Sequence, residues 1–348
     1  MIKDIFFKLE ENIDSYAQEA LEHQFNEEPS LKHLNPQQKK HSLEDTAYHI
    51  KYLSESIAYD DINIYINYAK WVKHLFLNRN LPLKWFHNSL KSIQIILESN
   101  FETDEISLIN SFIDAAINEL ENEDSLKSYI DTSTELGRYA RLYTEKLIDA
   151  DRVGASNLID ELIEKKYSVE DIYLEIFAKS QYEIGKMWQE NRITIAQEHY
   201  CTAATQTIMS KLYPFIFATK KTDKKAVVAC TKNELHEIGA RMVADFLELY
   251  GWQTYYIGAQ GHHQSVVDSI ESFNADIVAI SATLSSHISE VEELISFIKK
   301  NEKTKNIKII VGGSPFNANP NLYKKVSADA YAINAKLAVD KCEELYNE

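Results

Sequence analysis

Cysteine is scarce in this chain of 348 residues: Cys201, Cys230 and Cys342 are the only three, and they stand far apart without zinc-type spacing. That pattern excludes a disulfide framework and suits a reducing compartment, so a cytoplasmic protein is expected. No cysteine precedes residue 201, so a chromophore held in the N-terminal half is not attached through a thiol. Long apolar runs are missing as well. None approaches membrane-spanning length, and the opening M-I-K-D-I-F-F-K-L-E-E-N carries acids within its first turns, so neither an anchor nor a signal peptide is expected. Cations are outnumbered, 37 Lys and Arg against 53 Asp and Glu, for a formal charge of −16. Phosphate contacts need clustered Lys and Arg, no helix-turn-helix pattern is flanked by such clusters, and a nucleic-acid partner is therefore not expected. Proline is absent between Pro82 and Pro214, and six of the nine glycines fall at or after Gly239, so a long helical stretch precedes a turn-rich end.

The length allows two or three packed domains, and no internal repeat or low-complexity tract is present. Three blocks follow, giving an α plus α/β fold class. Residues 1–125 read as an all-helical domain with helices near 3–25, 43–59, 61–78, 82–98 and 103–121; Asp61, Pro82 and Thr103 sit at helix starts, and a loop around Pro29 and Pro36 separates the first two. The third of these helices has little polar circumference, which places it either at the centre of its bundle or between a core and a flat hydrophobic ligand. Residues 126–220 read as a four-helix bundle near 127–150, 153–165, 168–191 and 194–217, with Gly154 and Ser168 near helix starts. Residues 221–348 alternate strands (near 225–230, 253–257, 276–281, 307–311 and 329–333) with helical patterns, which implies a flavodoxin-like sheet of five parallel strands.

The chemistry concentrates in A-V-V-A-C-T-K-N-E-L-H-E-I-G, residues 226–239. A buried-strand run is followed by a loop and then by the helical pattern of Met242, Val243, Phe246 and Leu249, so His236 falls at the C-terminal end of a first parallel strand, where open α/β sheets bind ligands. Glu234 stands two positions earlier and can accept the Nδ1 proton, leaving Nε2 free for a metal, while Gly239 lets a bulky ligand approach the backbone. The spacing E-x-H-x-x-G resembles the D-x-H-x-x-G signature of cobalamin-binding domains. The resemblance extends to Ser281-Ala282-Thr283 and to Gly312-Gly313, each after a predicted strand. It implies that His236 is the lower ligand to cobalt, that Ser281 hydrogen-bonds the displaced benzimidazole, and that the two glycines make room for the nucleotide tail. Glu234 departs from the family's usual Asp, and its extra methylene weakens or re-aims the contact. The plain alternative is a generic flavodoxin-like domain in which His236 is an ordinary loop residue.

Between the third and fourth bundle helices lies W-Q-E-N-R-I-T-I-A-Q-E-H, with nine residues between Trp188 and the pair Glu198-His199. This is similar to the W-x9-E-H signature of adenosylcobalamin-dependent photoreceptors, in which a helical bundle caps the upper face of the cofactor. The resemblance implies that Trp188 packs on the adenosyl group, that Glu198 hydrogen-bonds it, and that His199 takes the vacated upper position after light cleaves the bond to cobalt. A Trp188 in the bundle core beside a solvated helix start is the structural alternative. At the level of function the alternative is a corrinoid methyl carrier of a methyltransferase system, whose bundle moves aside to expose cobalt.

The first block carries D-T-A-Y-H-I-K-Y-L-S-E-S-I and Y-A-K-W-V-K-H-L-F-L-N-R, which look like the helical domain of photocobilins, photoreceptors that pair cobalamin with biliverdin. A linear tetrapyrrole needs an apolar slot with aromatics and a few cations or histidines. His49 and Tyr52 share a helix face; Tyr68, Trp71 and His74 lie close along the next helix, and Arg79, Trp85 and His87 follow. A globin-like interaction domain without pigment is the alternative for this block. No catalytic triad, phosphate loop or mutase barrel is found, so a non-enzymatic sensor is expected, signalling through a light-dependent homo-oligomer or an unidentified partner.

Overall fold

Side-chain caps fix the helix starts in the computed structural model, which describes residues 1–123, 125–259 and 261–348. Asn35 Oδ1 accepts from the Gln38 backbone N–H at 2.9 Å, and Gln38 Oε1 accepts from the Asn35 N–H at 2.9 Å. This reciprocal box starts α2, Pro36–Ala58, earlier than the expected residue 43. Pro36 is not a loop residue but the first helical position, where its missing N–H costs nothing. With α1 (Ile2–Glu27), α3 (Ile62–Asn78), α4 (Leu83–Glu98) and α5 (Thr103–Glu119), it builds a first compact unit, residues 1–125 with 189–191. α3 packs against α2, α4 and α5, which explains its missing polar face. It buries Tyr65, Tyr68, Val72 and even Lys73, whose ammonium donates to the carbonyls of Glu119 and Asn122 at 3.2 and 2.8 Å.

The second unit, residues 126–188 and 192–348, joins a four-helix bundle to an α/β sheet. The bundle holds α6 (Glu135–Ile148), α7 (Arg152–Glu164), α8 (residues 169–189) and α9 (Ile195–Met209). α6 starts later than the expected residue 127 because Thr134 caps the Gly137 N–H at 3.0 Å. The stretch before it is held out of helix by Glu183, which accepts from Ser128 Oγ at 3.0 Å and from the Tyr129 N–H at 2.8 Å. α8 is one rod made of Val169–Asp171, a π-helical section Ile172–Ala178, and Lys179–Gln189. A π section of this kind inserts an extra residue into the turn and re-aims the side chains beyond it.

The strands are β1 (Lys225–Cys230), β2 (Gln253–Gly258), β3 (Ile277–Ser281), β4 (Lys308–Gly312) and β5 (Ala330–Ala332), all parallel in the order β2-β1-β3-β4-β5. That is the flavodoxin-like order, with its switch point between β1 and β3. Continuous burial of Ala226–Cys230, Ile277–Ile280 and Ile309–Val311 marks strands covered on both faces. α10 (Ile238–Leu249) packs with α13 (Ala335–Tyr346), while α11 (His263–Phe273) packs with α12 (Ile288–Lys300), as right-handed crossovers require. Among the described residues no helix is long and apolar enough to cross a membrane.

One hydrophobic core runs from the bundle into the sheet domain, through Tyr143, Tyr173, Phe177, Met209, Phe246 and Leu247. Polar clasps cross the same boundary. Tyr173, on the π section, donates to Asp245 Oδ2 at 2.8 Å, and Arg241 donates to Tyr213 Oη at 2.7 Å and to Ser210 Oγ at 3.2 Å. Asp245 is 6% exposed, and this burial outweighs the Tyr173 hydrogen bond and the nearby Arg241 charge, raising its pKa from 3.8 to about 6. The fold therefore favours the protonated carboxyl, so stability is lost as pH rises from about 4 to about 6. At about 1.4 kcal/mol per tenfold change in proton affinity, the loss is about 3 kcal/mol. Asp245→Asn cannot titrate and should gain on the wild type by up to about that amount across this window. Urea melts of both proteins at several pH values check it, and a difference that stays constant from pH 4 to pH 7 would contradict it.

Candidate functional site

Parallel register brings the separated sequence motifs into one row. Cys230 pairs with Ser281, Ser281 with Gly312, and Gly312 with Ala332, so the ends of β1, β3, β4 and β5 align along the C-terminal edge of the sheet. The loop after β1 rises from this edge and carries Glu234 and His236. Beneath it, the Cys230 thiol lies 3.8 Å from the His236 carbonyl, and burial pushes that thiol up to about 12, so it stays protonated and is no competing metal ligand.

Glu234 is the hub of the site. Its side chain is fully buried, yet both carboxylate oxygens are saturated: Oε1 accepts from the His236 N–H at 2.9 Å and from His236 Nδ1 at 2.5 Å, while Oε2 accepts from the Thr283 N–H at 2.7 Å and His287 Nδ1 at 3.2 Å. Burial works against the charge, but the hydrogen bonds from His236, His287 and the backbone outweigh it and hold the carboxyl far below its ordinary range. An ionised acceptor forces the proton onto His236 Nδ1, so Nε2 presents a lone pair. The His236 side chain is 54% exposed, and the same hydrogen bond raises its pKa. Glu in place of Asp is therefore not a weakened contact. Its longer reach lets one carboxylate orient His236 and tie down the loop after β3 through Thr283 and His287. His287, at the N-cap of α12, belongs to no motif; its sequence signal is an imidazole in the loop that follows Ser281.

The glycines serve two different purposes. A Cβ on Gly239 would meet nothing within 4 Å, which leaves the surface beside His236 open. Gly313 has φ of 108°, and a Cβ there would lie 1.9 Å from the Ala282 carbonyl, so glycine is needed for β3 and β4 loops to approach each other. At Gly312 a Cβ would lie 3.1 Å from the Ala332 carbonyl. The exposed imidazole with its free Nε2, the open Gly239 surface and the glycine-lined edge fit a cobalt corrinoid held from below by His236.

The bundle contributes a second imidazole and carboxylate. Glu198 and His199 lie in the first turn of α9, whose Thr194 cap accepts from the Gln197 N–H at 3.2 Å. His199 Nδ1 is 2.5 Å from Glu198 Oε2, its side chain is 71% exposed, and the Glu198 charge is close enough to contribute to raising His236. Trp188, at the end of α8, is half-buried and packs on the core shared by bundle and sheet.

In the first unit, Tyr52 stacks on Tyr68 with ring centroids 3.9 Å apart, Trp71 continues the stack at 6.4 Å, and His49 Nδ1 meets Tyr68 Oη at 2.7 Å. Burial pulls the His49 pKa down to about 3, so it is neutral and cannot serve as a cation. His74 is buried further along α3, and Arg79 is half-buried at its C-cap. Trp85 Nε1 donates to Ser30 Oγ at 3.2 Å, and His87 lies 3.2 Å from Asn88 Oδ1; neither joins the stack.

Comparison with known proteins agrees with this geometry. Residues 224–341 match the B12 binding domain family, and residues 139–213 match a second family described as a B12 binding domain. Dimethylamine corrinoid protein 1 of Methanosarcina acetivorans is 24% identical over 170 residues, covering 48% of this chain and 79% of its own length. The dimethylamine corrinoid protein of Methanosarcina barkeri is 30% identical over 114 residues, covering 33% of this chain and 53% of its own. In fold, the Methanosarcina barkeri monomethylamine corrinoid protein superposes with a TM-score of 0.54 at 20% identity, over 60% of this chain and 98% of that one. The second unit is thus a cobalamin-binding one. Glu234→Gln removes the charge that sets the His236 tautomer and should weaken hydroxocobalamin binding by about 10–100-fold. Equilibrium titration followed by absorbance checks it; unchanged affinity would contradict the assigned role of Glu234.

Proposed function

We propose that the chain is a light sensor that holds adenosylcobalamin from below through His236 and reads the state of its upper face through the bundle. When bound, adenosylcobalamin supplies a cobalt–carbon bond that visible light breaks. One observation carries the reading: a second carboxylate–imidazole pair, Glu198 with His199, stands within electrostatic reach of the first, and its imidazole is exposed. Each pair uses a carboxylate to engage Nδ1 and so leaves Nε2 available. Trp188 would cover the upper group with its indole, Glu198 would hydrogen-bond its sugar or base, and His199 would take the vacant position once that group has gone. Loss of a packing partner at Trp188 would then move the bundle against the sheet domain, through the clasps at Tyr173–Asp245 and Arg241–Tyr213, and change self-association or the binding of a signalling partner.

Biliverdin in the first unit extends this reading. The stacked Tyr52, Tyr68 and Trp71 offer aromatic surface, and the Tyr65 hydroxyl beside them is fully buried without a hydrogen-bond partner, a polar atom that a ligand could satisfy. A second reading, a corrinoid methyl carrier, is favoured by the dimethylamine corrinoid proteins, whose names stand nearer to carriage than to light sensing. The two differ in what the upper face must do: a carrier must open it to a second protein, whereas a sensor must keep it covered until light arrives.

One preparation separates them. The full chain purified in the dark with adenosylcobalamin and biliverdin should show a co-eluting red-absorbing band, and green light should alter both the corrinoid spectrum and the size-exclusion profile. Trp188→Ala should bind the cofactor and lose the change in profile. An unchanged spectrum and profile would contradict the sensor. Demethylation of the methylcobalamin-loaded chain by a thiol acceptor and a methyltransferase, without light, would establish the carrier instead. Free biliverdin on the column would remove the pigment from the account.

A further inference from the structure

Away from the cobalt ligands, the packed pair α11 and α12 holds a cluster that cobalamin binding does not use. His263, the first residue of α11, and Glu290 and Glu293, one turn apart on α12, each place a potential ligand atom within 4.8 Å of the other two. The His263 ring is fixed against Phe297 of α12, with centroids 5.7 Å apart. Two atoms in the cluster have an unmet need. His263 Nε2 and Glu290 Oε2 are both sealed from solvent, and neither has a hydrogen-bond partner. A buried polar atom left unpaired costs about 1–3 kcal/mol, and two at one place point to a missing ligand. Charge points the same way. Glu290 and Glu293 are like charges at helical neighbour spacing, which repel, and among the described residues neither forms an ion pair with a lysine or arginine.

We propose that His263, Glu290 and Glu293 bind a divalent first-row transition-metal ion of the zinc class. Imidazole nitrogen and carboxylate oxygen are both zinc ligands, and three protein ligands with water completing the shell is the arrangement of open zinc sites. The ion would satisfy the two sealed atoms, relieve the repulsion between the glutamates, and tie the first turn of α11 to the first turns of α12. The same end of α12 carries His287, so the ion would brace the loop that supports Glu234. The site is separate from cobalt and stands whether the protein senses light or carries methyl groups.

The test uses the full chain loaded with hydroxocobalamin, so that His236 is occupied, and dialysed against Zn²⁺ with Mg²⁺ in excess. Bound zinc is counted by atomic emission, and folding is followed by circular dichroism. The wild type should retain zinc and melt at a higher temperature with it than without, and His236→Ala should still retain it. Glu290→Gln and Glu293→Gln should each lower zinc affinity by at least about tenfold. Glu293 is exposed, so its variant keeps the test open if a change at Glu290 disturbs folding. Zinc retention no higher in the wild type than in either variant would overturn the proposal.

Discussion

A buried carboxylate that must stay ionised is the constraint on which the cobalamin site depends. Glu234 has no exposure to water, and a charge in that position persists only because five donors converge on it. Two of those donors belong to His236 itself, which fixes both the path of the loop after β1 and the orientation of the ring. The other three, from Thr283, Leu284 and His287, come from the loop after β3, so the carboxylate that aims the imidazole also binds neighbouring strand ends to each other. Removing the charge would release the tautomer, the ring and the loop together.

The sheet makes this convergence possible. Register places Cys230, Ser281 and Gly312 side by side although long helices separate them in sequence, and the positive φ of Gly313 lets the β4 loop close on Ala282. The bundle is joined to this frame by a common core and by Tyr173, which donates to Asp245 from the π section of α8. A buried acid that prefers its proton is a weak clasp at neutral pH. That weakness suits the proposed movement of the bundle against the sheet domain.

Much of this frame could be read from residue order. Short β-branched runs mark the strands to within a residue or two, and the E-x-H-x-x-G spacing picks out the loop after β1 that carries Glu234 and His236. The failures have physical causes. In sequence Pro36 reads as a breaker, because the capping role of Asn35 is visible only once Gln38 folds back on it. The helical pattern of α6 reaches back to residue 127 in sequence, because the competitor for that stretch, Glu183, is distant along the chain. His287 and the His263–Glu290–Glu293 cluster carry no local signal for the same reason: their meaning lies in contacts across elements, which no local pattern encodes. In the first unit, the aromatic stack was legible as a group, whereas the neutrality of His49 follows from burial alone.

The central claim is that an imidazole of this chain, and not the cofactor's own base, holds cobalt from below. Electron paramagnetic resonance of the chain loaded with cobalamin in its paramagnetic cobalt(II) form tests it most directly, because the axial nitrogen splits the cobalt lines. Labelling histidine with ¹⁵N should change that splitting in the wild type, and His236→Ala should abolish the label's effect. A splitting indifferent to the label would mean that the benzimidazole remains on cobalt, and the account built on Glu234 and His236 would be wrong.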